Sequence, residues 1–345
     1  MGDAAAERLA ERLAGRLAIP GIDAVVPFSV PLTTHFRGVS ERHGLLLHGP
    51  CGWGEWSPFD EYDDRVAGAW LASAIDAACT PAPTSRREHV PVNVTVPAVG
   101  APEARAIVAA SACRTAKVKV AEPSQTLADD VARVAAVRDA LGPDGIIRVD
   151  ANAAWSVDEA VEALGRLEEA AGGLEYAEQP CTRLEELAEV RARTGVRIAA
   201  DEAIRRDHAD PALVREGVDV AVIKVQPSGG VNAALALIAS LGLPAVVSSA
   251  LDTSVGLAAG VRLAAALDTL PYACGLATGL LLAEDVVTRP LRPVDGVLRA
   301  TDAADLVLRD PLPSPSDEAI ERLIARADRA RADRAIAIGA QEVDA

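Results

Sequence analysis

The sequence predicts an α/β protein, a modified TIM-type (β/α)7β barrel with an α+β capping domain. Two observations lead to this prediction. Short apolar runs that end in a charged residue recur along the middle of the chain at intervals of roughly 23 to 31 residues, each about the length of one strand, one helix and two loops. The N-terminal part instead carries three strand-like runs and one helix, which is the composition of a small separate domain.

Length and composition agree with one barrel and one accessory domain. The chain has 345 residues, of which 50% are hydrophobic and 3% aromatic, enough to bury a large core. The longest apolar runs, such as 255–266, contain glycine and Arg262 and are shorter than the roughly 20 residues that cross a bilayer. The composition therefore predicts a soluble protein without a membrane span.

Charge and cysteine usage narrow the class of partner. The formal net charge is −16 and the sequence pI is about 4.8, so nucleic acid would be repelled. A small carboxylate substrate stays possible, because a metal or a lysine pair can reverse the field inside a cleft. Five cysteines without metal-ligand spacing indicate reduced thiols and a cytoplasmic protein.

The first 88 residues divide into an extension and the capping domain. We interpret 1–21 as an N-terminal extension with a helix at 4–17, a surface or oligomer-contact helix that leaves monomer and homo-oligomer both open. The capping domain is predicted at 22–88. Its loop at 33–38 is expected to close over a ligand, and Arg37 is the candidate contact there.

The barrel is predicted at 89–285, where strand-like and Ala-rich helical runs alternate. Residues 286–320 are expected to return to the capping domain, and 321–345 form a charged tail with no assigned function. Eight candidate strands lie at 92–97, 116–120, 146–150, 174–178, 197–201, 220–225, 244–248 and 272–276. Eight units that close on themselves place the chemistry at the carboxyl ends of the strands.

Three successive strand ends carry a carboxylate each: Asp150, Glu178 and Asp201. At a barrel mouth these groups converge, and crowded carboxylates repel one another unless a hard divalent cation neutralises them. Ligation by oxygen alone suits Mg²⁺, for which Mn²⁺ can substitute. The three residues are therefore candidate metal ligands.

Lysines flank this predicted metal site. Lys117 and Lys119 alternate along one strand and point the same way, and Lys224 lies near the end of a later strand, across the barrel. An ammonium with cationic neighbours has a lowered pKa and can act as a base near neutral pH. A base beside a metal that binds a carboxylate predicts proton abstraction from the carbon next to that carboxylate.

These motifs together resemble the enolase superfamily in its muconate-lactonising-enzyme subgroup. The resemblance implies a Lys or His base beside Mg²⁺, as is general for sites of this superfamily. Within the subgroup, the loops resemble the o-succinylbenzoate synthase family over about residues 22–300. The superfamily resemblance is carried by Lys117-Val118-Lys119, Asp150-Ala151-Asn152, Glu178-Gln179-Pro180, Asp201-Glu202 and Lys224. The pieces that match the synthase family are Phe36-Arg37-Gly38, Gly52-Trp53-Gly54-Glu55 with Ser57-Pro58-Phe59, Arg148-Val149-Asp150-Ala151-Asn152 with Trp155, and the run from Ser248-Ser249 to Gly256.

The resemblance implies a dehydration that belongs to menaquinone biosynthesis. Water is lost from 2-succinyl-6-hydroxy-2,4-cyclohexadiene-1-carboxylate to give 2-succinylbenzoate. Lys119 would be the base, Lys224 a stabilising cation on the opposite face of the ring, and Lys117 the neighbour that keeps the pKa of the base low. Candidate groups for binding the substrate are Arg148, Asn152, Ser228, Gly229, Gly230, Ser248 and Ser249.

Three alternatives remain open on the sequence alone. A racemase of N-acylated amino acids would use the same metal with both Lys119 and Lys224 as bases. A muconate-type cycloisomerase is another member of the same subgroup. A barrel kept only for binding would have no need of so many buried charges around one point, so an enzyme is favoured.

Overall fold

The computed structural model describes residues 3–36, 38–205 and 210–343, and the side chains within them except those of 3–6, 35–36 and 334–343. The chain forms a capping domain, a parallel barrel and a C-terminal segment that contacts both. Within the part of the chain that the structure describes, no helix has the length and apolar character needed to span a membrane.

The capping domain consists of a three-stranded antiparallel sheet and a helix. Its strands are β1 (Ala24–Phe36), β2 (Val39–Gly49) and β3 (Gly52–Trp56), in that order in the sheet, and its helix is α2 (Asp64–Cys79). Asp63 caps the start of α2 by accepting a hydrogen bond from the Val66 amide. At Gly54 a side chain would collide with the Ala74 carbonyl, so glycine lets α2 lie directly on β3.

Two terminal helices complete the core of the capping domain. Helix α1 (Asp3–Leu17) buries Leu13 and Leu17, and helix α12 (Asp317–Val343) buries Ile320 and Ile324 in the same hydrophobic cluster. The expected surface or oligomer-contact helix at 4–17 is thus a core helix of this domain on its leucine face. Much of the segment predicted as a charged tail belongs to α12, because its apolar residues recur at helical spacing.

The barrel sheet contains seven parallel strands in sequential order. They are β5 (Val94–Val96), β6 (Thr115–Lys119), β7 (Ile146–Asp150), β8 (Ala177–Glu178), β9 (Ile198–Ala200), β10 (Val220–Lys224) and β11 (Ala245–Ser248). Parallel bridges join Ser248 to Gly275 and Val92 to Cys274. The segment at Cys274 and Gly275 therefore closes the sheet in the position of an eighth strand, as the predicted (β/α)7β barrel requires.

Helices follow the strands around the outside of the barrel, as expected for parallel connections. Several begin with capping boxes, such as Thr126 before the helix at Leu127–Leu141 and Ser156 before the helix at Val157–Ala171, which fix the helix starts. The helices are α3 (Ala101–Ser111), α4 (Leu127–Leu141), α5 (Val157–Ala171), α6 (Leu184–Thr194), α7 (Glu202–Arg205), α8 (Pro211–Gly217), α9 (Val225–Ser228), α10 (Val231–Leu241) and α11 (Ser254–Ala266).

The C-terminal segment divides between the two domains. Leu282 and Val286 pack with Phe28 and Leu46 of the capping domain, as predicted for a segment that returns to it. Strand β12 (Val297–Arg299), however, pairs with β4 (His89–Pro91) just before the first barrel strand. Part of the predicted return thus contacts the barrel, because β4 offers its backbone groups for pairing.

Candidate active site

The barrel register brings the predicted functional residues together at one end of the sheet. Lys119 is the register partner of Asp150, and Asp150 is the register partner of Glu178. On the other side of the barrel, Lys224 is the register partner of Ser248. These residues are the last of their strands, so their side chains share the mouth of the barrel.

Lys117 lies between two of the three carboxylates. Its ammonium donates to Glu178 Oε1 at 2.7 Å and to Oε2 at 2.9 Å, and it lies 3.0 Å from Asp150 Oδ2. Lys119 donates to the same Asp150 oxygen at 2.7 Å and to Asn152 Oδ1 at 2.6 Å. One carboxylate oxygen of Asp150 thus accepts from both lysines of β6.

Asp201 has its own pair of cations. Lys224 Nζ lies 2.5 Å from Asp201 Oδ2, and the Arg205 guanidinium lies 2.6 Å from Oδ1. Asp201 follows β9, and Arg205 follows it by four residues within the single turn of α7, so the two side chains reach each other. Sequence reasoning missed Arg205, although this spacing after a candidate ligand was a usable signal.

The charges of this cluster shift one another's pKa. Burial alone would lower the pKa of Lys117, but the carboxylates of Glu178 and Asp150 raise it well above its ordinary value. Burial lowers the pKa of Lys119, and the nearby Lys117 charge lowers it further against the attraction of Asp150. The pKa values of the two lysines of this strand are therefore shifted in opposite directions.

The carboxylates respond to the same neighbours. Burial opposes ionisation of both Asp150 and Asp201. Lys119 and Lys117 nevertheless hold the pKa of Asp150 well below its ordinary value, and Arg205 and Lys224 do the same for Asp201. Burial and the charge of Asp150 raise the pKa of Glu178 to about 7. Glu178 is thus the carboxylate for which a further positive charge would be most stabilising.

The donor set fits a hard divalent cation. Within residues 3–36, 38–205 and 210–343, no group of three or more His, Cys, Asp or Glu side chains is arranged so that it could hold a metal ion. Each of the three carboxylates instead contacts an ammonium or guanidinium group. All the same, the Lys117 ammonium already occupies a cationic position between Asp150 and Glu178. Buried carboxylate oxygens from successive strand ends are the ligands that Mg²⁺ prefers.

A small cavity of about 30 Å³ opens onto the lysines. The substrate that the resemblance implies is larger than this space, so we expect its binding to widen the cavity. The lining includes Lys117, Lys119, Lys224, Asp150, Asn152, Ser248, Ser249, Thr95, Thr278, Phe59 and Leu251.

Some of the predicted substrate-binding residues line the cavity, and others lie away from it. Asn152, Ser248 and Ser249 line the cavity, and the Ser249 hydroxyl contacts that of Thr278 at 2.7 Å. Thr278 and Thr95, which sequence reasoning missed, are thus further polar groups of the wall. Arg37 lies outside the described residues.

The turn after β10 serves the backbone of the barrel. The Ser228 hydroxyl donates to the Lys224 carbonyl at 2.7 Å, while the amides of Gly229 and Gly230 donate to carbonyls within the same turn. At Gly230, whose φ is +123°, a side chain would also collide with Asp76 of α2. These donors are engaged in a turn packed on the capping domain, and none of the three residues lines the cavity.

Arg148 occupies the barrel core and not the cavity. Its side chain is fully buried, with Nε 2.5 Å from Glu175 Oε2 and Nη1 2.7 Å from the Ala273 carbonyl. The guanidinium also stacks 4.7 Å from the centre of the Tyr176 ring. Arg148 is on the same side of its strand as Asp150, two residues deeper in the barrel. The interpretation as a substrate ligand is therefore corrected to a structural role.

The capping domain is anchored to the barrel beside this cavity. Glu55 of β3 accepts hydrogen bonds from the amides of Thr253 and Gly256 at the start of α11, at 3.1 and 2.9 Å, a favourable place for a carboxylate. The preceding loop carries Leu251, which lines the cavity. The motif Gly52-Trp53-Gly54-Glu55 thus joins the two domains at the wall of the site.

The distribution of lysine gives an independent indication of function. Only three of the 34 basic residues in the chain are lysines, namely Lys117, Lys119 and Lys224. All three line the same cavity. Arginine supplies the remaining positive charges. A pKa that can shift into the neutral range is a property of lysine and not of arginine, so lysine is found here where such a group is useful.

Comparison with known proteins agrees with this geometry. The sequence model of the enolase C-terminal domain-like family matches residues 101–304, and that of the enolase N-terminal domain-like family matches 27–78. An o-succinylbenzoate synthase of Thermobifida fusca is 59% identical over 273 residues, which are 79% of this chain and 85% of the relative. That of Mycolicibacterium smegmatis is 50% identical over 83% of this chain and 89% of its own.

Solved structures share the fold at lower identity. A muconate lactonizing enzyme of Pseudomonas fluorescens, complexed with muconolactone, has a TM-score of 0.69 at 21% identity and covers 84% of this chain and 97% of its own. A dipeptide epimerase of Enterococcus faecalis, complexed with Mg and a dipeptide, has a TM-score of 0.67 at 23% identity, with 80% and 95% covered. The solved structures show the shared fold, and the sequence relatives with the family models show that the chain belongs to the o-succinylbenzoate synthase family of the enolase superfamily.

Proposed function

We propose that this chain catalyses the syn-dehydration of 2-succinyl-6-hydroxy-2,4-cyclohexadiene-1-carboxylate to 2-succinylbenzoate, a step of menaquinone biosynthesis. The proposal is supported above all by the placement of Lys119 and Lys224 on opposite walls of one cavity. In one direction around the barrel, β6 and β10 are separated by β7, β8 and β9. In the other direction they are separated by β5, the closing segment and β11, so the two strands lie opposite each other. A flat ring between them presents one face to each lysine.

Lys119 is the proposed base. Its amine removes the proton from the ring carbon that bears the carboxylate, and the C–H electron pair moves into the enolate. As the ring hydroxyl leaves, the same ammonium returns the proton, so that water departs and the ring becomes aromatic. One residue on one face thus performs both transfers, which accounts for the syn course.

Lys224 and Lys117 have supporting roles in this proposal. Lys224 stabilises the enolate from the opposite face as a cation. Lys117 stays charged between Asp150 and Glu178 and keeps the base from being protonated. The Ser248 hydroxyl in the cavity wall offers a hydrogen bond to the carboxylate of the succinyl tail, while the Ser249 hydroxyl is paired with the Gly275 carbonyl and the Thr278 hydroxyl.

Asp150, Glu178 and Asp201 are the proposed ligands of Mg²⁺, for which Mn²⁺ can substitute. When bound, the cation supplies charge neutralisation for the ring carboxylate as its neighbouring carbon loses a proton. We also propose a small-molecule carboxylate as the partner and the cytoplasm as the compartment. All five cysteines are free thiols, which is compatible with a reducing environment.

Metal removal tests the proposal. We expect the diene absorbance of the substrate to fall rapidly with Mg²⁺, to stay constant after chelation, and to fall again when Mg²⁺ or Mn²⁺ is restored. Mg²⁺ at 100 times its Kd should also raise the free energy of unfolding by about 2.7 kcal/mol.

The matched control is Asp150→Asn, which removes one anionic ligand at nearly constant volume. This variant should lose both the Mg²⁺-dependent rate and most of the thermal shift. Coincident melting curves of the wild type with Mg²⁺ and with chelator, together with turnover in the chelator, would contradict the assignment of the three carboxylates.

A further inference from the structure

Helix α12 is bound to the loop that connects β3 to α2. The Arg326 guanidinium donates from Nη2 to the carbonyls of Phe59 at 2.8 Å and Tyr62 at 2.9 Å. Its Nη1 lies 3.4 Å from the Pro58 carbonyl. Three carbonyls of one loop therefore converge on a single side chain, which is only 13% exposed.

This loop forms part of the active-site wall. Phe59 is buried and lines the cavity together with the catalytic lysines. The Arg42 guanidinium stacks 4.2 Å from the centre of its ring, and the Tyr62 ring meets it edge-on at 5.8 Å. The Tyr62 amide also donates to the Phe59 carbonyl at 3.1 Å. The loop is thus a turn whose carbonyl groups face Arg326.

Helix α12 is packed into the core of the capping domain on both sides of Arg326. Leu323, Ile324 and Ala327 flank Arg326 and are buried in the core of the capping domain. The family models match residues 27–78 and 101–304, so α12 lies beyond the matched segments. Arg326 therefore lies outside the segments that the two family models match.

We propose that Arg326 is a positioning residue for the active site, acting through the 57–62 loop to place Phe59 over the substrate. The planar guanidinium suits the task because its fixed fork can hold two carbonyl oxygens at once. Its effect on turnover rests on the proposed dehydration, while its effect on the loop does not. The expected consequence is on substrate binding, since Phe59 covers the cavity and provides no reacting group.

The test compares Arg326→Ala with Arg322→Ala. Arg322 lies one turn earlier on α12 and pairs with Glu318 at the surface, where both side chains are more than half exposed. Both variants lose one arginine from the same helix, but only the first loses contacts to the loop. Far-UV circular dichroism establishes that each is folded, and Arg326→Lys, which keeps the charge without the fork, serves if the alanine variant does not accumulate.

Two readouts decide the result. Hydrogen exchange of peptides that cover residues 57–64 should become faster in Arg326→Ala and stay at the wild-type rate in Arg322→Ala. In the dehydration assay, KM should rise about tenfold in Arg326→Ala with a much smaller change in kcat, because displaced contacts remote from the chemistry can cost one to two orders of magnitude. Phe59→Leu should raise KM too, and the double variant should add little to it.

Unchanged exchange in Arg326→Ala would overturn the loop contact as a restraint. Faster exchange with an unchanged KM, or additive effects of Arg326→Ala and Phe59→Leu, would overturn the positioning role. If the wild type itself does not turn over the substrate, the proposed dehydration fails, and the exchange experiment still decides whether Arg326 holds the loop.

Discussion

Replacing Lys119 by alanine is expected to lower kcat for the dehydration by about 10³-fold or more, at the upper end of what one general base contributes. The variant removes the amine that contacts Asp150 and Asn152 at the strand end. Lys117 cannot replace it, because Glu178 and Asp150 hold its ammonium and raise its pKa. Mg²⁺ should still shift the melting temperature, since Asp150, Glu178 and Asp201 remain.

The measurement is steady-state dehydration kinetics together with melting curves in Mg²⁺ and in chelator. Asn152→Ala is the companion variant, because it removes the neutral partner of Lys119 and leaves the amine in place. We expect it to lose about tenfold or less, the scale of one hydrogen bond. A Lys119→Ala enzyme that kept a near-normal rate would remove Lys119 as the base.

Lys224→Arg separates two roles for the lysine on the other wall. Arginine keeps the positive charge but cannot act as a base at neutral pH. If Lys224 only stabilises the enolate, Lys224→Arg should retain measurable dehydration, about ten- to a hundredfold below wild type, whereas Lys224→Ala should lose about 10³-fold. The charge matters because Lys224 lies against Asp201 in a buried site.

Kinetics of both Lys224 variants, with circular dichroism to establish their folding, give the comparison. The alanine variant reports the loss of the charge, and the arginine variant reports the loss of the amine alone. Equal and complete inactivity of two folded variants would indicate that Lys224 exchanges a proton, as a second base of a racemase would.

The barrel and the centre of its site could be predicted because their signals are periodic. Parallel strands at regular spacing place their carboxyl ends on one rim, so Lys119, Asp150 and Glu178 could be placed together from the sequence alone. The structure places them as register partners. The eighth strand was also expected, and it is present as the closing segment at Cys274 and Gly275.

The depth of a side chain within the barrel and the packing between distant segments of the chain could not be predicted in the same way. Alternation along a strand told which face Arg148 occupies, but its depth below the rim depends on where the strand enters the barrel. The core role of α1 and α12 depends on contacts between the two ends of the chain, such as the Arg16–Glu321 ion pair at 2.7 Å. Local patterns carry no information on such pairs.

The loops around the cavity are the remaining case. Phe59 belonged to a motif that the resemblance included, yet its place in the cavity wall depends on Arg42 and Arg326, which lie far from it in sequence. The glycines at 229 and 230 have the composition of an anion-binding turn, but their amides are engaged within the turn. Turn composition alone does not say whether its donors face a ligand.

The most direct test of the central claim compares two reactions on the same preparation with Mg²⁺. One follows loss of the diene absorbance of the cyclohexadiene carboxylate, and the other follows deuterium incorporation into an N-succinyl amino acid in deuterated water. We expect rapid dehydration and no exchange, with Lys119 as base and Lys224 as a stabilising cation. Absent dehydration with efficient exchange would contradict this account, and would make the chain a racemase in which both lysines move protons.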